Sequence, residues 1–176
     1  MTDLDNVRQE RVASIFIHSP MQRVWDEITK TGSLQRALYN TVLIGDLSPG
    51  SRIRYSSEDH KHVFVVGEVI EVTPPTRYVH TYIMTMHTDP ETTVAWDLAE
   101  EDGGCRVTIT HSGWTDEHRT ADRTVKSWAE ILGLLKSEVE TGSIPLKTRV
   151  TYRLMGLFSF ALPKRTSAAH ADEHGW

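Results

Sequence analysis

Between Thr41 and Ser112 the chain reads as six β-type runs in series, and after them comes one long helical stripe. The runs are Thr41 to Ile44, Ser51 to Ser56, Val63 to Val72, Arg77 to Met86, Thr93 to Ala99 and Arg106 to Ser112. Ser48-Pro49-Gly50, Pro74-Pro75, Asp89-Pro90 and Asp102-Gly103-Gly104 punctuate them. Parallel neighbours need a crossover of about a dozen residues, so strands joined this closely pair antiparallel. Arg11 to His18 (RVASIFIH) supplies a seventh run ahead of them.

Ser19-Pro20 opens a short helix carrying Val24, Trp25 and Ile28 on one face, with Gly32 as its stop. Ser33 to Leu38 reads as a second, very short helix. Asp116 to Thr141 is the longest helical signal, with Trp128, Ile131, Leu132, Leu135 and Val139 at three- and four-residue spacing and Gly142 at its end. An antiparallel sheet has one face to bury, and only this helix has a stripe broad enough to cover it. The expected fold is therefore α+β: a seven-stranded curved antiparallel sheet around a long C-terminal helix, with two short helices after the first strand. The expected organisation is a domain over 8–142, an amphipathic extension over 143–162 and a mobile tail over 163–176.

Composition removes several function classes. Nineteen Lys and Arg stand against twenty-four Asp and Glu, so no excess positive charge is available to neutralise nucleic-acid phosphates. Cys105 is the only cysteine, which excludes a disulfide framework and a multi-cysteine zinc site. The opening MTDLDNVRQE has no basic start followed by an apolar run, and no stretch reaches the roughly 18 apolar residues of a membrane span. A reducing cytoplasm is the expected compartment.

Site chemistry is sparse. Gly-x-Ser-x-Gly and a glycine-rich phosphate cradle are missing. His60 and His62 share one side of an extended segment, but no third ligand has a clear spacing, so no metal is expected. Glu68 and Glu71 point to opposite faces of a regular strand and, with Asp97, Glu100 and Glu101, read as edge or solvent charges. The informative set is aromatic. Tyr78, His80, Tyr82 and Met84 alternate onto one face of a strand, and Trp96 and His111 fall on the inward faces of the next two. A sheet that stays open around its helix leaves a concave space, and the cavity-lining candidates are Tyr55, Tyr78, His80, Tyr82, Met84, Trp96, His111, Trp114, Trp128, Leu132 and Leu135. The competing reading of the same residues is a packed core without a cavity, with His111 and His80 as hydrogen-bonded structural histidines.

The segments Ser19-Pro20…Val24-Trp25, Gly67-Glu68-Val69-Ile70-Glu71-Val72-Thr73-Pro74-Pro75-Thr76-Arg77, Thr93 to Leu98, Val107 to Trp114 and Trp128 to Gly142 occur in this order. In this they resemble the START-like helix-grip superfamily, also called SRPBCC or Bet v-type. Within it the chain is similar to bacterial homologues of the activator of the heat-shock chaperone ATPase. Arg36-Ala37-Leu38-Tyr39 stands where that family often carries an Arg-Trp-Phe-type segment. The resemblance implies the helix-grip fold but little about function, because the superfamily hosts carriers and enzymes alike.

The leading expectation is a protein that binds a small hydrophobic ligand (a lipid, a polyketide-like compound or a similar metabolite) between sheet and helix, without covalent catalysis or a cofactor. The alternatives are a cyclase or dehydratase using pocket tyrosines and His80, and a chaperone-interacting protein. In Leu146 to Leu162, Val150, Leu154, Leu157, Phe158 and Ala161 recur at helical spacing among Lys147, Arg149 and Arg153, with Lys164 and Arg165 just beyond. Such a helix can dock on its own domain, build a homodimer or lie on an anionic membrane surface, the last being the least favoured of the three.

Overall fold

The runs of alternating residues pair in nearly the order in which they occur. The computed structural model describes residues 9–176. The expected domain start at residue 8, and the MTDLDNVR part of the segment read for an export signal, lie outside the described residues. The strands are β1 (Gln9–Ile17), β2 (Leu34–Gln35), β3 (Thr41–Gly45), β4 (Arg52–Ser56), β5 (Val63–Thr73), β6 (Arg77–Met84), β7 (Thr92–Glu101) and β8 (Gly104–Trp114). They form one antiparallel sheet in the order β1-β8-β7-β6-β5-β4-β3-β2. Only β1 leaves sequence order, returning beside the last strand.

The helix-grip fold is as expected, with eight strands in place of seven and one short helix in place of two. Helix α1 (Met21–Thr29) buries Val24, Trp25 and Ile28. Its cap differs from the expectation: Pro20 stands at the N-cap and its carbonyl accepts from the Arg23 amide, while the Ser19 hydroxyl is buried without a partner. The segment expected as a second helix is instead β2 and a turn. Gln35 is fully buried there, and its Nε2 donates to the carbonyls of Glu27, Ile28 and Lys30 at the end of α1. This one amide satisfies carbonyls that the helix end leaves open, and it draws Leu34 and Gln35 into pairing with Val42 and Thr41.

Helix α2 (Ala121–Thr141) lies across the sheet and buries Trp128, Ile131, Leu132, Leu134, Leu135 and Val139. Gly142 ends it in the left-handed conformation at φ 76°, the conformation only glycine adopts without strain. Lys136 fastens it to β1 by donating to the Phe16 carbonyl at 2.8 Å. A close approach elsewhere also needs glycine: a Cβ on Gly67 of β5 would lie 2.0 Å from the Thr81 carbonyl oxygen of β6.

Beyond α2, helix α3 (Leu146–Leu157) runs with no buried residue. The segment 163–176, expected as a mobile tail, is held on the sheet. It forms a 3-10 turn at Lys164–Thr166 and helix α4 (Ala168–Glu173). Ala171, Ala168 and Trp176 close a small apolar cluster with Val63, Val66 and Ile83, on the sheet face opposite α2. Arg54 bonds Asp172 and the Trp176 carbonyl, and the Ala168 amide donates to Lys61 O. The tail is ordered because β5 carries apolar residues on both faces, and one face would otherwise be wet.

Candidate functional site: an aromatic nest between sheet and helix

Strand alternation brings the expected aromatic residues together. His80 lies among the rings of Tyr78 (centroids 5.0 Å apart), Tyr55 (6.1 Å) and Tyr82 (6.5 Å). Tyr82 continues the chain of rings to His111 (5.0 Å) and Trp128 (6.0 Å), and Trp114 lies tilted against His111 at 4.3 Å. Trp96 meets Trp128 edge to face at 5.8 Å. Leu132 and Leu135 of α2 are buried in the same cluster, Tyr82 is half-buried against it, and Met84 lies half-buried at its rim. All eleven candidates thus line or underlie one region.

That region is filled by its own side chains. The cleft bounded by Tyr82, Met84, Thr92, Trp114 and Thr124 holds about 10 Å³, the room of one water molecule. A larger depression of about 450 Å³ lies elsewhere, between Pro20-Met21 and the β7–β8 turn at Glu100 to Gly104. Ring-to-ring contact therefore replaces the open hollow the sequence suggested at Trp96 and Trp128.

Hydrogen bonds assign the histidine protons. An indole N–H only donates, so His111 Nδ1 accepts from Trp128 Nε1 at 2.9 Å. The proton of the neutral ring is then on Nε2, which donates to Thr92 Oγ1 at 2.7 Å, and Thr92 donates onward to the Tyr82 carbonyl at 3.1 Å. Burial pushes His111 down to about 3, with His80 and His118 adding to the shift. A carbonyl only accepts, so His80 Nδ1 carries the proton it gives to Thr81 O at 2.7 Å, leaving Nε2 as the acceptor. Burial pushes His80 down to about 4. Burial likewise pushes the Tyr55, Tyr78 and Tyr82 hydroxyls well above their ordinary value, so all three are neutral. The Tyr78 hydroxyl is buried without a hydrogen bond of ordinary geometry, and its weak pairing with the Tyr55 hydroxyl adds to the upward shift.

The mouth of the nest was not legible beforehand. Residues 116–120 were expected to begin α2, but they belong to a loop tied to residues 85–91. The His118 ring accepts from the Thr115 amide at 2.8 Å through Nδ1, so its Nε2 donates to Pro90 O at 3.3 Å. Asp89 accepts from the Thr120 hydroxyl at 2.5 Å and from the Thr120 and Arg119 amides at 3.1 and 3.4 Å. Burial opposes ionisation of Asp89, but these bonds outweigh it and hold its carboxyl below the usual range. A histidine in a Thr-x-x-His spacing was the available signal, but its partner Pro90 is distant in sequence.

The other singled-out residues serve the frame. Glu71 and Asp97 both pair with Arg77, Glu101 pairs with Arg106, and His62 bonds Thr166. Among the described residues, His170, Glu173 and His174 have ligand atoms within 4.8 Å of one another, a grouping able to hold a metal ion, and it is distant in kind from the apolar nest.

Comparison with known proteins agrees with this architecture. Residues 18–140 match the family model described as Activator of Hsp90 ATPase homolog 1-like protein. Among solved structures, CalU16 from Micromonospora echinospora has a TM-score of 0.64 at 17% identity, covering 88% of each chain. DynU16, of the dynemicin biosynthetic locus, has a TM-score of 0.65 at 20% identity over 77% of this chain, which spans 48% of DynU16. The Aha1 dimer from Colwellia psychrerythraea has a TM-score of 0.63 at 17% identity, covering 76% of this chain and 98% of that one. A search of curated proteins gives no match. Identities this low speak for the fold, whereas the family model spans β2 to β8 and nearly all of α2: the chain belongs to the Activator of Hsp90 ATPase homolog 1-like protein family.

Proposed function

We propose that this protein binds a small, predominantly apolar molecule in the aromatic nest, without covalent chemistry. The observation that carries the reading is the Tyr78 hydroxyl, which is fully buried, makes no hydrogen bond of ordinary geometry and has the Tyr55 hydroxyl as its polar neighbour. Leaving a buried hydroxyl unpaired costs roughly 1–3 kcal/mol. A ligand oxygen reaching it recovers that cost while the surrounding rings hold the apolar body. The ligand class is a lipid, a polyketide-like compound or a similar metabolite carrying one oxygen on a hydrophobic frame. Because the rings now touch, binding requires Tyr82 and Trp128 to part, and the links from Asp89 and His118 across the mouth are the ones that open. An acid–base role for His80 has less support, since its Nδ1 proton is committed to Thr81 O and its Nε2 is a weak base at about 4.

Native mass spectrometry of protein purified without detergent tests the reading, with 1-anilinonaphthalene-8-sulfonate as a second probe. A co-purifying mass or saturable dye binding is expected. Tyr78→Phe should lower that binding about tenfold while leaving the melting temperature unchanged or raised, because the unpaired hydroxyl is gone. A chain with neither a co-purifying mass nor dye binding overturns the proposal, as does a Tyr78→Phe variant that binds as well as the parent.

A further inference from the structure

Helix α3 wears its apolar face outward. Leu146, Val150, Leu154 and Leu157 form a row along the helix at spacings of four, four and three residues, and Phe158 and Phe160 continue it past the end. These six are 49 to 80% exposed. The inner side of the helix is set by Tyr152, which packs on the core and stands edge to face with Tyr39 at 6.3 Å. Single exposed apolar residues are ordinary, but a continuous outward row is not.

Charge says what covers it. Lys147, Arg149 and Arg153 flank the row, and Lys164 and Arg165 follow. None of these five is within salt-bridge distance of a carboxylate among the described residues. From Thr141 to Ala171 there is no Asp or Glu, although the rest of the chain sets all twenty-four carboxylates against only fourteen Lys and Arg. A second copy placed on this row would bring ten like cations together. A surface that is apolar below and anionic at its boundary matches both features at once.

We infer that α3 and the segment to Phe160 form a docking surface for an anionic lipid leaflet, with the leucine row and the two phenylalanines at the acyl boundary and the cations among the headgroups. The helix has 12 residues and lies in the interface; no helix among the described residues is long and apolar enough to cross. The inference is independent of the ligand reading, because no residue of the aromatic nest belongs to it.

Co-sedimentation of the full chain with vesicles tests it. The parent is expected to partition onto phosphatidylcholine vesicles containing about one-third phosphatidylserine, to stay free of phosphatidylcholine alone, and to be released by high salt. Removing two cations in R149Q/R153Q should weaken partition about thirtyfold. L154S/L157S should abolish it with every charge retained. Since α3 buries none of these side chains, both variants should keep the parent's melting temperature. Absence of partition onto the anionic vesicles overturns the inference, and so does equal partition onto both vesicle types. A dimer of the free chain that L154S/L157S dissociates overturns it in favour of a second copy.

Discussion

His111 is neutral for a geometric reason before burial is considered: the indole of Trp128 has only a proton to give, so the facing Nδ1 must be bare. Protonation would break the link that joins β8 to α2. The same bond makes Trp128 a structural residue, and truncating it would cost core packing and leave Nδ1 unpaired. His80 is neutral through desolvation. Both imidazoles have folded values below the ordinary 6.5, at about 3 and about 4. The unfolded chain therefore binds more protons below pH 6.5. The stability from these groups is complete above about 6.5 and is lost as pH falls toward the folded values. Each adds a slope of about 1.4 kcal/mol per pH unit in that window. Urea unfolding at pH 7, 6 and 5 should show stability falling steadily, and His80→Gln should remove about half of the histidine slope. A parent chain equally stable at pH 7 and pH 5 would contradict this.

At the scale of elements, α2 begins where another part of the chain supplies its cap. Thr120 occupies the N-cap position without a capping bond from its own side chain, and the carboxylate of Asp89, thirty-one residues earlier, accepts from the Thr120 and Arg119 amides instead. A negative charge beside these amides also complements the positive end of the helix dipole. Asp89→Ala should therefore cost about 1–2 kcal/mol in denaturant unfolding and speed amide hydrogen exchange in the first turn of α2. Unchanged exchange there would show that the loop holds the helix without Asp89. The end of α1 works the same way through Gln35, whose amide reaches three carbonyls. Both caps are long side chains or distant loops, so neither could be read from the few residues around the helix end. Gly142 could be, because its role depends on its own φ alone.

For the whole molecule, the C-terminal 34 residues divide into two parts with opposite energetics. The α3 segment leaves its apolar residues in water, whereas 163–176 closes a second small core over Val63, Val66 and Ile83. Deleting 163–176 uncovers two fully buried valines and should lower stability by about 3 kcal/mol and promote concentration-dependent aggregation, followed by denaturant unfolding and light scattering. A truncated chain with the parent's unfolding midpoint would show that the cluster contributes nothing.

The meander from β3 to β8, its antiparallel pairing, the long helix and the shared face of Tyr78, His80 and Tyr82 were determined by sequence, because alternation and turn residues act within a few positions of themselves; the return of β1 beside β8 and the pairing of β2 were not. The tertiary structure alone decided whether the aromatic face encloses space or touches itself, since that depends on how closely α2 settles and on Trp128 finding His111. It alone decided, too, which way α3 turns: periodicity marks an apolar face, but only the packed neighbours say whether that face looks inward or out.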